Sequence, residues 1–260
     1  MLAGFALTLG CADLKALFVE PPEVDHPTAD MVSIPAGTAS LGEWKEERLF
    51  HAKGHPCYAV MKQEMSWEAF EIERHPFPGE GYDWPADGLN LPKLEQLLAV
   101  MADYGRRACT PTELLVASAG TGNHRYPYHP RRYDPSLCEA DDQHPSGPIG
   151  SHPGCASPLD VRDFAVRASW AKRSAAPIAV ELPNLKTDYL IVGMVSRRDT
   201  FYCPSNFGAH THQPDEPEYL DDSVRFCATP GERTNRKDAA LVDIMERCYN
   251  GTYQSIIDCK

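Results

Sequence analysis

A chain of 260 residues, 42% hydrophobic and 24% charged, is long enough to bury a core of its own. Its formal net charge of −12 excludes a phosphate-binding surface: nucleic-acid contact needs clustered cations, and the pairs Arg106 with Arg107, Arg131 with Arg132 and Arg197 with Arg198 all sit among acids. No stretch approaches the ~20 apolar residues that a membrane-spanning helix requires.

Residues 1–11, "MLAGFALTLGC", form an apolar run closing on Leu-Gly-Cys. They read as a signal or lipobox remnant with Cys11 as the lipidation site, although no Lys or Arg precedes the run. Residues 12–30 carry Pro-Pro and scattered acids without periodicity, as a linker does. Order is expected from "MVSIPAGTASLG", a strand running from Met31 to the turn at Gly42. "CYAVMKQEMSWEAFEIERHPF" alternates toward Phe70 and Ile72 and predicts a strand through the core.

"LPKLEQLLAVMADYGRR" predicts a helix with Leu94, Leu97, Leu98, Met101 and Ala102 on one face and Gly105 as its stop. "TPTELLVASAG" predicts a second, with Thr110 as N-cap, Pro111 at the first helical position and Glu113 completing a capping box. From Asn123 to Pro158 the chain is aperiodic and rich in Pro, Tyr, His, Asp and Gly; so long a loop is either functional or held by crosslinks. "DYLIVGMVS" and "SVRFCAT" read as buried strands. Residues 231–260 form a polar C-terminal extension with a short helix around "KDAALVDIMERC".

Nine cysteines with no C-x-x-C point to an oxidising compartment rather than a zinc site. Cys138 and Cys155 bracket the aperiodic loop and are expected to be bonded. Cys203 with Cys227 and Cys248 with Cys259 are the next pairings, and Cys57 and Cys109 stay unassigned. As a reactive thiolate Cys203 would need an electropositive pocket, and the nearby "DEPEYLDD" supplies the opposite. A Cys203–Cys227 loop of two dozen residues would instead be stabilised by roughly 3 kcal/mol.

His210 and His212 flank one residue and would point the same way from an extended segment, a spacing metal sites use, with Asp215 or Glu216 as a further ligand. With Asn206, in an Asn-Phe-Gly turn, they form a candidate ligand pocket; equally, they are solvated loop histidines. His124, His129, His144 and His152 dot the long loop. Tyr126, Tyr128 and Tyr133 are expected to pack that loop onto the core and hydrogen-bond through their tips. No Ser lies in a strand–turn–helix elbow.

Six segments in order resemble the formylglycine-generating-enzyme, or sulfatase-modifying-factor, family: "MVSIPAGTASLG", "FEIERHPFP", "RRACTPTELLVASAG", "RYPYHPRRYDPSLCE", "PIGSHPGCASPLDVRDFAV" and "SVRFCA". They cover about residues 31–230. The resemblance implies an α+β, loop-rich C-type-lectin-like fold with two main helices and short antiparallel strands. Oxidases of the family hold a cuprous ion on two cysteines five positions apart, and thiolates select that soft metal. Cys203 falls near the second of that pair, but Arg198 stands where the first is expected. At the family's calcium site Arg167 replaces an Asn and Trp170 replaces the ligand Glu, and a cation there repels the ion.

The sequence is therefore read as an exported bacterial protein, a periplasmic or outer-membrane lipoprotein. Its domain has lost the copper and calcium sites and serves as a binding or envelope-associated module for a protein or small-molecule ligand. Nucleic acid is excluded as a partner, and any membrane contact runs through a lipid on Cys11. The alternative is an active oxidoreductase of the family. It would be a formylglycine-generating copper oxidase using Cys203 with a second thiolate from elsewhere in the chain, or a mononuclear metal oxygenase, with iron for example, using His210, His212 and a nearby carboxylate.

Overall fold

A computed structural model describes residues 31–43, 48–52, 55–78, 91–132, 134–138, 148–164, 169–172, 189–192, 195–197, 200–203, 207–210 and 223–231. The expected signal remnant with Cys11, the linker 12–30, and the extension beyond 231 with its helix lie outside these residues.

The single strand expected from Met31 to Gly42 is two: β1 (Met31–Ile34) and β2 (Gly37–Leu41). Pro35 divides them, since it brings no N–H to a ladder. There follow β3 (Arg48–Ala52), β4 (His55–Ala59), β5 (Gln63–Trp67) and β6 (Phe70–Glu73). Then come α1 (Leu91–Ala102), β7 (Arg107–Ala108) and α2 (Pro111–Ala119). Past a 3-10 turn at Pro135–Leu137 the chain returns as β8 (Ser169–Lys172), β9 (Tyr189–Val192) and β10 (Val195–Arg197). It ends, within the described residues, with β11 (Thr200–Cys203), β12 (Gly208–His210) and β13 (Phe226–Ala228).

Two larger antiparallel sheets result, one in the order β1-β6-β13-β7 and the other β3-β4-β12-β9-β8, beside the pairs β2-β5 and β10-β11. In the first sheet Cys227 stands opposite Ile72 on one side and Arg107 on the other. Few helices with antiparallel sheets make a mixed architecture compatible with the α+β class.

On α1, Leu94, Leu97, Val100 and Met101 are buried. Leu98 is half-buried, and Ala102, expected on the same face, is exposed. Val100, three positions after Leu97, takes that place in the stripe. Gly105 adopts a φ of 71° and its N–H reaches back to the Ala102 carbonyl at 3.0 Å, which ends the helix.

At α2 the Glu113 N–H donates to Thr110 Oγ1 at 3.2 Å while the Thr110 N–H donates to a Glu113 oxygen at 2.7 Å, the capping box in full. Glu113 through Ala119 are all buried, so this helix shows no polar face and lies within the core, packed on β2, β5, β8 and β9. A second tie holds the loop after α2: the Asn123 amide accepts from the Gly42 N–H at 2.8 Å and donates to the Gly42 carbonyl at 3.1 Å.

Candidate functional site

Charge is buried where β6, β13 and the 160s loop meet. Glu73, the last residue of β6, has no solvent exposure. One carboxylate oxygen lies 3.0 Å from Arg106 Nη1, and the other accepts the Phe226 N–H at 3.1 Å. Arg225, just ahead of β13, is buried as well. It donates to the carbonyls of Glu73 at 3.2 Å and Arg74 at 3.0 Å, and to that of Arg162. Its guanidinium sits 4.3 Å above the Phe164 ring. Burial pulls this arginine down to about 10, against the opposing pull of Asp163 and Glu73, so it is a cation at neutral pH. A planar fork fixed by three carbonyls binds the end of β6 to the 160s loop.

On that frame stands a pair the sequence did not single out. His75 Nδ1 and Asp163 Oδ2 are 2.8 Å apart, and the same carboxylate oxygen accepts the Gly150 N–H at 3.2 Å. Asp163 holds a φ of 60°. Gly150, at φ 73°, lets the backbone approach the ring: a Cβ there would come within 3.3 Å of His75 Cε1. An aspartate on Nδ1 orients an imidazole and leaves Nε2 as the nitrogen able to take or give a proton or bind a ligand. The partners are 88 residues apart, so no local spacing could reveal them. The available signal was a histidine two residues past a strand and an aspartate in "LDVRDF", both inside segments that carry the family resemblance.

Cys138 and Cys155 form a disulfide with a Cα–Cα distance of 4.8 Å, closing the loop after the 3-10 turn. Cys227 is bonded to Cys109, Cα–Cα 4.9 Å, and not to Cys203 as expected. The reason is positional: Cys227 lies in β13 between β6 and β7, and Cys109 directly follows β7. Cys203 ends β11, opposite Val195 in a separate hairpin. The two disulfides suggest an oxidising, non-cytoplasmic environment. No helix among the described residues is long and apolar enough to cross a membrane.

Cys109, Glu113 and Cys227 bring donor atoms within 4.8 Å of one another, yet they do not form a metal centre. The sulfurs are bonded to each other, and the Glu113 carboxylate is held by Arg107 at 2.6 and 2.8 Å and by the Thr110 N–H. His210 ends β12 opposite Ile191 of β9. Asn206 and His212 fall outside the described residues, as do Asp215, Glu216, Arg198, Arg167, Cys248 and Cys259.

In the long loop Tyr126 and Tyr128 stack at 6.1 Å with an interplanar angle of 16°, and the Tyr128 hydroxyl accepts the Asp134 N–H at 3.0 Å. His129 Nδ1 accepts the N–H groups of Arg131 and Arg132. Ser151 Oγ lies 2.8 Å from His152 Nδ1. His124 donates its backbone N–H to the Ala119 carbonyl at 2.9 Å. Tyr133 and His144 are outside the described residues. The Tyr128 and His129 rings thus bind the loop's own backbone, and Tyr126 and Tyr128 are half-buried.

No protein-family model and no curated protein matches the sequence. Among solved structures, the chain is similar to PvdO from Pseudomonas aeruginosa, at 14% identity and a TM-score of 0.53, over 76% of this chain and 93% of that one. It also aligns with CarF at 12% identity and a TM-score of 0.47, over 76% of this chain and 97% of that one. The likeness to PvdO is one of fold. It supports the formylglycine-generating-enzyme-like fold family and no particular member.

Proposed function

We propose that this protein uses the formylglycine-generating-enzyme-like fold as a binding module of the cell envelope and not as a copper oxidase. One observation carries the reading. Among the described residues Cys109, Cys138, Cys155 and Cys227 are all half-cystines, so none can serve as the second thiolate beside Cys203. The sequence agrees, with Arg198 five positions before Cys203, and a guanidinium cannot ligate a cuprous ion. These four bridged cysteines and Arg198 leave Cys203 without the partner thiolate five positions away on which the fold family's oxidases hold their metal. In this reading Cys11 carries a lipid, residues 12–30 are the tether, and the ligand is a protein or small molecule recognised by the loop-rich face.

Competition for cuprous ion tests the reading. Purified protein titrated against a colorimetric Cu(I) chelator should leave the chelator complex intact. Withdrawal of one equivalent of copper, abolished by Cys203→Ser, would restore the oxidase alternative.

A further inference from the structure

We propose that Met31 is an oxidation site, and that its sulfoxide opens the edge of the first sheet over the buried Glu73–Arg106 ion pair. The oxidant is a small peroxide. The proposal goes beyond the binding-module reading and does not depend on it.

Met31 is the first residue of β1, and β1 is an edge strand of its sheet, with β6 on one side. Its partner across the ladder is Glu73, so the two side chains share a face of the sheet. Arg106, just ahead of β7 at the opposite edge, reaches both of them with one nitrogen. Its Nη1 donates to Met31 Sδ at 2.7 Å and to the Glu73 carboxylate at 3.0 Å. Glu73 and Arg106 are wholly buried, whereas Met31 is half-buried. The thioether therefore stands between solvent and a buried charge pair, as a weak acceptor on a soft, apolar side chain. Of the other described methionines, Met65 and Met101 are buried and Met61 is half-buried, and neither buried one is open to a solute.

The sulfur keeps a second lone pair for the oxidant. That pair attacks the outer oxygen of hydrogen peroxide, the S–O bond forms as the O–O bond breaks, and the departing hydroxide takes up the remaining proton as water. The sulfur loses two electrons and the peroxide gains them, giving methionine sulfoxide. The product is bulkier, polar and a far stronger acceptor than the thioether. It needs space that the close contact with Nη1 does not leave, and it competes with the Glu73 carboxylate for that nitrogen's hydrogens. Met31 yields before the buried pair does, because it begins an edge strand held by a single neighbour. Water then reaches Glu73 and Arg106, and the fold loses the dry setting of its buried charges.

The test treats the full chain with graded hydrogen peroxide, measures the oxygen added at each of the seven methionines by peptide mass spectrometry, and follows urea unfolding of the same samples. The urea midpoint is expected to fall in step with the sulfoxide fraction at Met31. Met31→Leu, of similar volume and without sulfur, should lose most of the peroxide-dependent fall, and Met61→Leu should keep it. An unchanged midpoint with Met31 fully oxidised overturns the proposal. So does Met31 left as thioether while Met61 is converted, or a Met31→Leu variant that retains half or more of the parent's fall. If Met31→Leu does not fold, the parent and Met61→Leu series decide, through whether the midpoint follows the Met31 sulfoxide.

Discussion

Glu73 and Arg106 face each other across 3.0 Å with neither side chain exposed to solvent at all. An ion pair so placed contributes little net stability over a well-packed apolar pair, but removing one partner strands the other charge. Glu73→Ala or Arg106→Met should each destabilise the fold by about 3–5 kcal/mol. The Glu73→Leu with Arg106→Met double variant should recover part of that loss. Urea unfolding of the three variants measures the pattern. Losses under about 1 kcal/mol in both single variants would place the pair among exposed, weakly coupled ones.

Arg225→Lys tests whether the guanidinium fork, and not its charge, binds β6 to the 160s loop. A lysine keeps the cation but cannot reach the carbonyls of Glu73, Arg74 and Arg162 in one plane over Phe164. The expected loss is about 3 kcal/mol, the order for broken charged hydrogen bonds and orphaned buried carbonyls. Because the folded value of Arg225 lies below its free one, its charge opposes folding at neutral pH. That opposition is relieved only as pH climbs through about 10. Parent stability should therefore show no step from this group across the neutral range in pH-dependent urea unfolding.

Local chemistry was legible in the sequence, and long-range partnership was not. The capping box of Thr110 and Glu113, the stop at Gly105 and the strand through Phe70 and Ile72 all depend on neighbours within a few residues. Pro35 should have divided the first strand on the same local grounds. By contrast, Cys227 chose Cys109 at a separation of 118 residues over the nearer Cys203, because strand order sets the partner. The His75–Asp163 pair is illegible in sequence for the same reason: each residue is ordinary in its own segment and gains meaning only where the end of β6 and the 160s loop meet.

The two disulfides should differ in weight. The Cys138–Cys155 bridge spans 17 residues and the Cys109–Cys227 bridge 118. Loop entropy assigns them about 3 and about 5 kcal/mol respectively. Thermal unfolding of the two double-alanine variants should show the larger loss for Cys109 with Cys227. The reverse order would mean that strain or residual structure in the unfolded chain outweighs loop length.

Gly42→Ala should cost about 1–3 kcal/mol. The residue holds a φ of 118°, and a Cβ there would stand 2.7 Å from the backbone of Val60 and Met61. Asn123→Ala removes both hydrogen bonds to Gly42 and should cost about 1–3 kcal/mol. Since both act on one contact, the double variant should lose less than the sum, as read by urea unfolding. Full additivity would separate the glycine's backbone role from the amide clamp.

The central claim, that this fold is carried here without its oxidase chemistry, is tested most directly by mass spectrometry of a sulfatase-derived peptide containing the target cysteine. The peptide is incubated in air with the full-length protein, cuprous ion and a thiol reductant. We predict that its cysteine is recovered only as thiol or disulfide. Formylglycine in the parent reaction, missing from a Cys203→Ser control, would contradict the account.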